Sequence, residues 1–156
     1  MTRYKELSES IEIAATPEQV WALVSDIPRM AQWSPQVIRS TVKDGVVEQG
    51  ATFTNLNGQG WLRWPTHGKV VRFEPCRDLA FRINENGTVW SFELTPIEGG
   101  TLVTQRRELP HGISTVSIVL TRVALGGVAR FTARLESGMR ETLSKLKADV
   151  EASAAA

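Results

Sequence analysis

The amino-acid sequence predicts an α+β fold in which an antiparallel meander of strands is closed by one long C-terminal helix. Three observations carry that reading. Between Gln36 and Glu108 the chain is punctuated by Asp44-Gly45, Asn57-Gly58, Asn86-Gly87 and Gly99-Gly100, dipeptides that suit the tight turns of hairpins. The runs between them are rich in β-branched and aromatic residues and alternate in polarity, as a sheet covered on one face requires. Beyond them, Val128, Phe131, Leu135, Met139, Leu143, Leu146 and Val150 recur every three or four positions, which is the apolar stripe of a helix.

The elements follow in order. Ile11 and Ile13 alternate with Ser10 and Glu12, giving a half-buried first strand. Thr16-Pro17-Glu18-Gln19 then opens a helix. Thr16 caps it, Pro17 suits the first helical position, and Gln19 completes a capping box. Val20, Leu23, Val24 and Ile27 form its apolar face, and Pro28 ends it. Arg29 to Trp33 reads as a second short helical turn before Pro35. In the meander, Trp64, Thr66, Gly68 and Val70 share one strand face. Leu79, Phe81 and Ile83 share another, and Thr88, Trp90, Phe92 and Leu94 a third. Thr115 to Leu125 is apolar nearly all round and reads as a helical segment jointed to the long helix at Gly126-Gly127. Residues 1–152 form one domain, and 153–156 a tail expected to fray.

Composition narrows the function classes. A chain of 156 residues with a formal net charge of +1 lacks the basic character of a nucleic-acid binder. A single cysteine, Cys76, forms no intrachain disulfide and fits a reducing, cytoplasmic location. The charged stretch Met1 to Val20 contains no apolar run resembling a signal peptide. Ile113 to Phe131 approaches membrane-span length, but Arg122 and Arg130 interrupt it, each costing about 2.5–3.5 kcal/mol at mid-membrane. Stable membrane insertion is therefore not expected. His67, His111 and Cys76 match no metal-binding spacing, so neither a metal nor another cofactor is expected. No nucleophile elbow, phosphate loop or dinucleotide fingerprint is present.

Specific segments carry a family resemblance. Ser10 to Trp21, reading SIEIAATPEQVW, and Ser25 to Pro35, reading SDIPRMAQWSP, resemble the opening of the START-like (SRPBCC) superfamily, in its polyketide cyclase/dehydrase and lipid-transport group. Phe73 to Arg82, Trp90 to Leu94 and Gly100 to Thr104 continue the likeness, which is closest to small stand-alone actinobacterial members. The resemblance implies a helix-grip, Bet v 1-like fold. An antiparallel sheet of about seven strands wraps the C-terminal helix, two short helices follow strand 1, and a ligand cavity lies between sheet and helix. It does not imply one activity, because the superfamily includes carriers, receptors, cyclases and cochaperones.

Aromatic residues on strand faces nominate the lining of such a cavity. Trp64, Phe81, Trp90 and Phe92 should face the helix, with Phe53 and Trp33 nearer an edge. Asn55 shares the parity of Phe53 and offers a hydrogen bond, while Leu120 and Ala124 contribute from the apolar segment before the long helix. Candidates for acid–base chemistry are Arg106, Glu108 and His111. Arg106 enters the cavity only if Leu102 faces inward. The opposite parity turns Val103, Gln105 and Arg107 inward, and both parities are open. Glu9 has the parity of Ile11 and Ile13, and a bulge would turn it outward. His67 should face solvent, opposite Trp64 and Val70.

These features favour a binding module for a hydrophobic small molecule such as a lipid or polyketide, acting as a monomer or weak homodimer. The alternative is a polyketide cyclase/dehydratase using a convergent polar pair inside the cavity. A third reading is a cochaperone-like interaction protein, which would need a large exposed apolar patch.

Overall fold

The computed structural model describes residues 6–110 and 128–155. The chain opens with β1 (Leu7–Ile13), followed by α1 (Pro17–Val24) and a 3-10 turn over Ile27–Gln32. Six strands then run in sequence: β2 (Val37–Val42), β3 (Thr52–Gln59), β4 (Leu62–Glu74), β5 (Asp78–Ile83), β6 (Val89–Ile97) and β7 (Gly100–Glu108). The long helix α2 (Val128–Ala155) follows. The strands form a single antiparallel seven-stranded sheet in the order β1-β7-β6-β5-β4-β3-β2. This is the helix-grip α+β fold.

Local chemistry explains the short helices. The Gln19 backbone N–H donates to Thr16 Oγ1 at 3.2 Å, and the Thr16 N–H donates to Gln19 Oε1 at 2.9 Å. This reciprocal pair satisfies two donors that the first turn of α1 would otherwise leave unpaired. At the other end, Ser25 Oγ donates to the Trp21 carbonyl at 2.6 Å. Val20, Val24 and Ile27 are fully buried, so α1 and the 3-10 turn close one end of the sheet.

The core lies between the sheet and α2. Ile13, Val70, Leu79, Phe81, Phe92, Leu94 and Val103 from the strands pack in one cluster with Leu143, Leu146 and Val150 from the helix. Leu7 joins Leu135 and Met139 in a second cluster at the other end of α2, with Trp90 and Phe131 packed against it. From Leu135 to Val150 the helical stripe is buried as its spacing requires, and Phe131 is half-exposed. The helix continues through Ala155, into the tail whose fraying the sequence suggested. Alanine is the strongest helix former, and Ala154 packs against the core.

Two turns differ from the sequence reading. Asn57-Gly58 lies inside β3, and the β3–β4 reversal falls at Gly60-Trp61, between the paired residues Gln59 and Leu62. Gly60 supplies the left-handed conformation there, with φ +59°. Trp61, at the tip, is 87% exposed. The β6–β7 loop is Glu98-Gly99, and Gly100 already belongs to β7 opposite Ile97. The joint at Gly126-Gly127 and the segment Thr115 to Leu125 lie outside the described residues.

Candidate functional site

Strand register decides which side chains face the helix. Phe81 pairs with Trp90, Leu79 with Phe92, Trp90 with Arg107, and Phe92 with Gln105. Directly paired residues share a sheet face, so Phe81, Trp90, Phe92, Gln105 and Arg107 all lie on one side. Phe131 of α2 identifies that side, because the Arg107 guanidinium stands 5.8 Å from the Trp90 ring centre and 5.7 Å from that of Phe131. An arginine held between two aromatic faces gains cation–π attraction from both.

The same reasoning decides between the two parities that the sequence left open for β7. Arg106 and Glu108 lie on the outer face of the sheet. Arg106 forms an ion pair with Glu93, and Glu108 lies 3.5 Å from the Arg72 guanidinium. Arg72 also binds Asp78 at 2.8 Å, which completes an outer-face network. Its guanidinium pKa is raised, with burial opposing and the Asp78 and Glu108 carboxylates favouring the charged form. The inward arginine is Arg107, which is 3% exposed. His111, Leu120 and Ala124 lie outside the described residues.

Glu9 also departs from the sequence reading. The β1–β7 register carries no bulge, and Glu9 pairs directly with Gln105. It therefore faces the helix, where Arg140 donates to its Oε1 at 3.0 Å. The pairing neutralises a carboxylate that would otherwise be costly on a part-buried face.

The aromatic candidates gather on the helix side. Phe53 and Phe81 meet edge to face, with ring centres 5.2 Å apart. Phe53 lies over Gly68, its cross-strand partner, so closely that a Cβ on Gly68 would stand 2.2 Å from Phe53 Cζ. Trp64 and Trp90 are half-buried, and Phe92 is fully buried. Asn55 is buried and accepts a hydrogen bond from Ser40 Oγ. Its neighbour Asn57 donates to Thr66 Oγ1 at 2.9 Å and to the Trp64 carbonyl at 3.2 Å. A polar row thus crosses β2, β3 and β4 on the same face as the tryptophan.

Trp33 has a different commitment. Its ring is buried and its Nε1 donates to Asp149 Oδ2 at 2.9 Å, so its polar atom is already engaged by α2. On the opposite face of the sheet, a shallow groove of about 560 Å³ opens over Thr41, Thr52, Thr54 and His67. His67 is solvent-facing there, 3.1 Å from Glu85. Among the described residues, no His, Cys, Asp and Glu side chains gather into a metal-binding group, and no helix is long and apolar enough to cross a membrane.

Gln105 is the polar residue whose importance the sequence left open. It is 6% exposed, and its Oε1 has no hydrogen-bond partner among the described residues. The length of the β6–β7 loop was the available signal. A two-residue Glu98-Gly99 loop sets Leu94 opposite Val103 and Trp90 opposite Arg107, which settles the parity.

A seven-stranded sheet gripping a helix, with an aromatic inner face and a buried polar residue, defines a START-like protein. The chain belongs to the polyketide cyclase / dehydrase and lipid transport family, whose model matches residues 5–151. Solved structures agree in fold. The di-domain ARO/CYC StfQ from the steffimycin biosynthetic pathway superposes with a TM-score of 0.75 at 15% identity, over 97% of this chain and 52% of StfQ. The present chain therefore spans about half of that protein's length. The polyketide_cyc-like protein Cgl2372 from Corynebacterium glutamicum gives a TM-score of 0.62 at 27% identity, covering 94% of this chain and 91% of its own. The Aha1 dimer from Colwellia psychrerythraea gives 0.65 at 18% identity, covering 95% and 97%. No match emerges among curated proteins.

Proposed function

We propose that the protein binds a hydrophobic small molecule, such as a lipid, polyketide or similar metabolite, between the sheet and α2, without transforming it. One observation carries the reading. The helix side of the sheet presents Trp64, Phe81, Trp90 and Phe92, while Arg106 and Glu108, two of the sequence's acid–base candidates, are tied into ion pairs on the outer face. An apolar wall with a few polar groups suits recognition of an apolar ligand. Family membership supports either ligand binding or polyketide processing. A cytoplasmic monomer or weak homodimer belongs to this reading, with Cys76 as a free thiol.

The test is a titration with the neutral apolar fluorophore N-phenyl-1-naphthylamine. Saturable fluorescence enhancement is expected, weakened in Trp90→Ala with folding intact by circular dichroism. Absence of binding by this probe and by a panel of lipids and polyketides would overturn the proposal. A cyclase/dehydratase reading draws on the inward Arg107. Turnover of a linear poly-carbonyl thioester by the purified chain would replace the binding-only reading with that one.

A further inference from the structure

We propose that Gln105 is the polar anchor of the ligand site and takes a hydroxyl group, alcoholic or phenolic, on an otherwise apolar ligand. The inference rests on the ligand-binding reading above and specifies the ligand's chemistry. Gln105 sits at the middle of the helix-facing side of β7, with Val103 and Arg107 on either side along the strand. Phe92 and Glu9 are its partners on the two adjacent strands. Its carboxamide oxygen is buried and lacks a donor among the described residues. Glu9 is engaged by Arg140 and, as a carboxylate, has no proton to offer. Phe92 and Val103 have no polar side-chain atoms.

A buried acceptor left without a partner has lost its hydration with nothing in return and destabilises the fold. A ligand that supplies the missing donor recovers that loss on binding. The surroundings select among donors. An alkylammonium would bring a full charge into a buried site beside the Arg107 guanidinium, and the one carboxylate nearby, Glu9, is already matched by Arg140. A carboxylate likewise brings charge and cannot donate to Oε1 at neutral pH. A hydroxyl both donates and accepts, so it pairs with either end of the carboxamide and brings no charge into a buried site. The Trp90 ring beside Arg107 offers an apolar surface to the ligand carbon next to that hydroxyl.

The experiment displaces N-phenyl-1-naphthylamine from the full chain with 1-decanol, decanoate and decylamine, which share one chain length and differ in the polar end. Decanol is expected to compete at a lower concentration than either ion. In Gln105→Leu, the decanol advantage over the two ions should fall about five- to tenfold, the equivalent of one lost hydrogen bond, with the naphthylamine's own affinity for the variant measured first to set the reference. Gln105→Met, unbranched and of similar length, serves as the second variant if leucine misfolds. Removing the unpartnered carboxamide oxygen should also raise the melting temperature of the unliganded protein. The proposal is overturned if decanol competes no better than the two ions, if its advantage survives both substitutions, or if both lower the melting temperature. Failure of the naphthylamine to bind the unaltered protein overturns the cavity reading, and the anchor with it.

Discussion

The indole Nε1 of Trp33 donates to the carboxylate of Asp149 at 2.9 Å, joining residues 116 positions apart. The same carboxylate receives two bonds from Arg29, each 2.8 Å long. One acidic side chain of α2 thus fastens the 3-10 turn that closes the end of the sheet. The bonds are charge-assisted and only partly exposed to solvent.

Asp149→Ala should destabilise the protein by about 2 kcal/mol in urea unfolding at neutral pH. The Asp149 carboxyl is held below its usual range, first by the Arg29 hydrogen bond, with burial opposing and Trp33 assisting. Its folded pKa therefore lies below its unfolded one. The stabilisation is complete above the ordinary carboxylate pKa and is lost as pH falls through the folded value. Repeating the urea curves in acid should show the two proteins converging. A gap that stays constant with pH would mean the carboxylate's charge is irrelevant.

Gly68→Ala should destabilise by about 1–3 kcal/mol, because the new methyl group would collide with the Phe53 ring. Phe53→Leu removes that obstacle. The double variant should therefore be more stable than the sum of the two single losses, a coupling visible in a double-mutant cycle.

Cys76→Gly should stabilise the protein by about 0.5–1 kcal/mol. Cys76 holds φ +63° in the β4–β5 turn, where the Arg77 N–H donates to the Glu74 carbonyl at 3.0 Å. A side chain is strained in that region and glycine is not. Thermal or denaturant unfolding of the reduced protein measures the gain. A loss would show that the thiol's packing outweighs the backbone strain.

Arg106→Gln and Glu108→Gln should leave stability within about 0.5 kcal/mol, since half-exposed ion pairs contribute little. Both should also leave naphthylamine binding unchanged. A marked loss of binding in either variant would contradict their position on the outer face.

The sequence was most informative where a feature is local. The capping box of α1 needs only Thr16, Pro17 and Gln19, and it forms as those residues dictate. The stripe from Leu135 to Val150 needs only helical spacing. What escaped depends on pairing across the chain. Leu102, Thr104, Arg106 and Glu108 are little different in polarity from Val103, Gln105 and Arg107, so alternation within β7 cannot select a face. The partners do, through Ile11 opposite Val103 and Leu94 opposite Val103 on the other side. Asn57-Gly58 resembles a turn, yet Asn57 spends its amide on Thr66 and the Trp64 carbonyl, and Gly60 takes the reversal. Nothing in the residues around Trp33 foretold that its N–H would be claimed by a helix so far along the chain.

The strand order also governs how the chain reaches this state. Strands β2 through β7 pair successively, each hairpin able to form as soon as its second arm is made. β1 is the exception, because its neighbour is β7, with Ser10 bonded to Thr104 across 94 residues. On the ribosome, β1 and the apolar faces of α1 therefore wait through the synthesis of nearly the whole meander. Non-local closure of that kind slows folding, and the waiting segment is an exposed strand edge during translation. A circular permutant in which β1 follows α2 would leave less chain between β1 and β7 than the present order does, and refolding should accelerate.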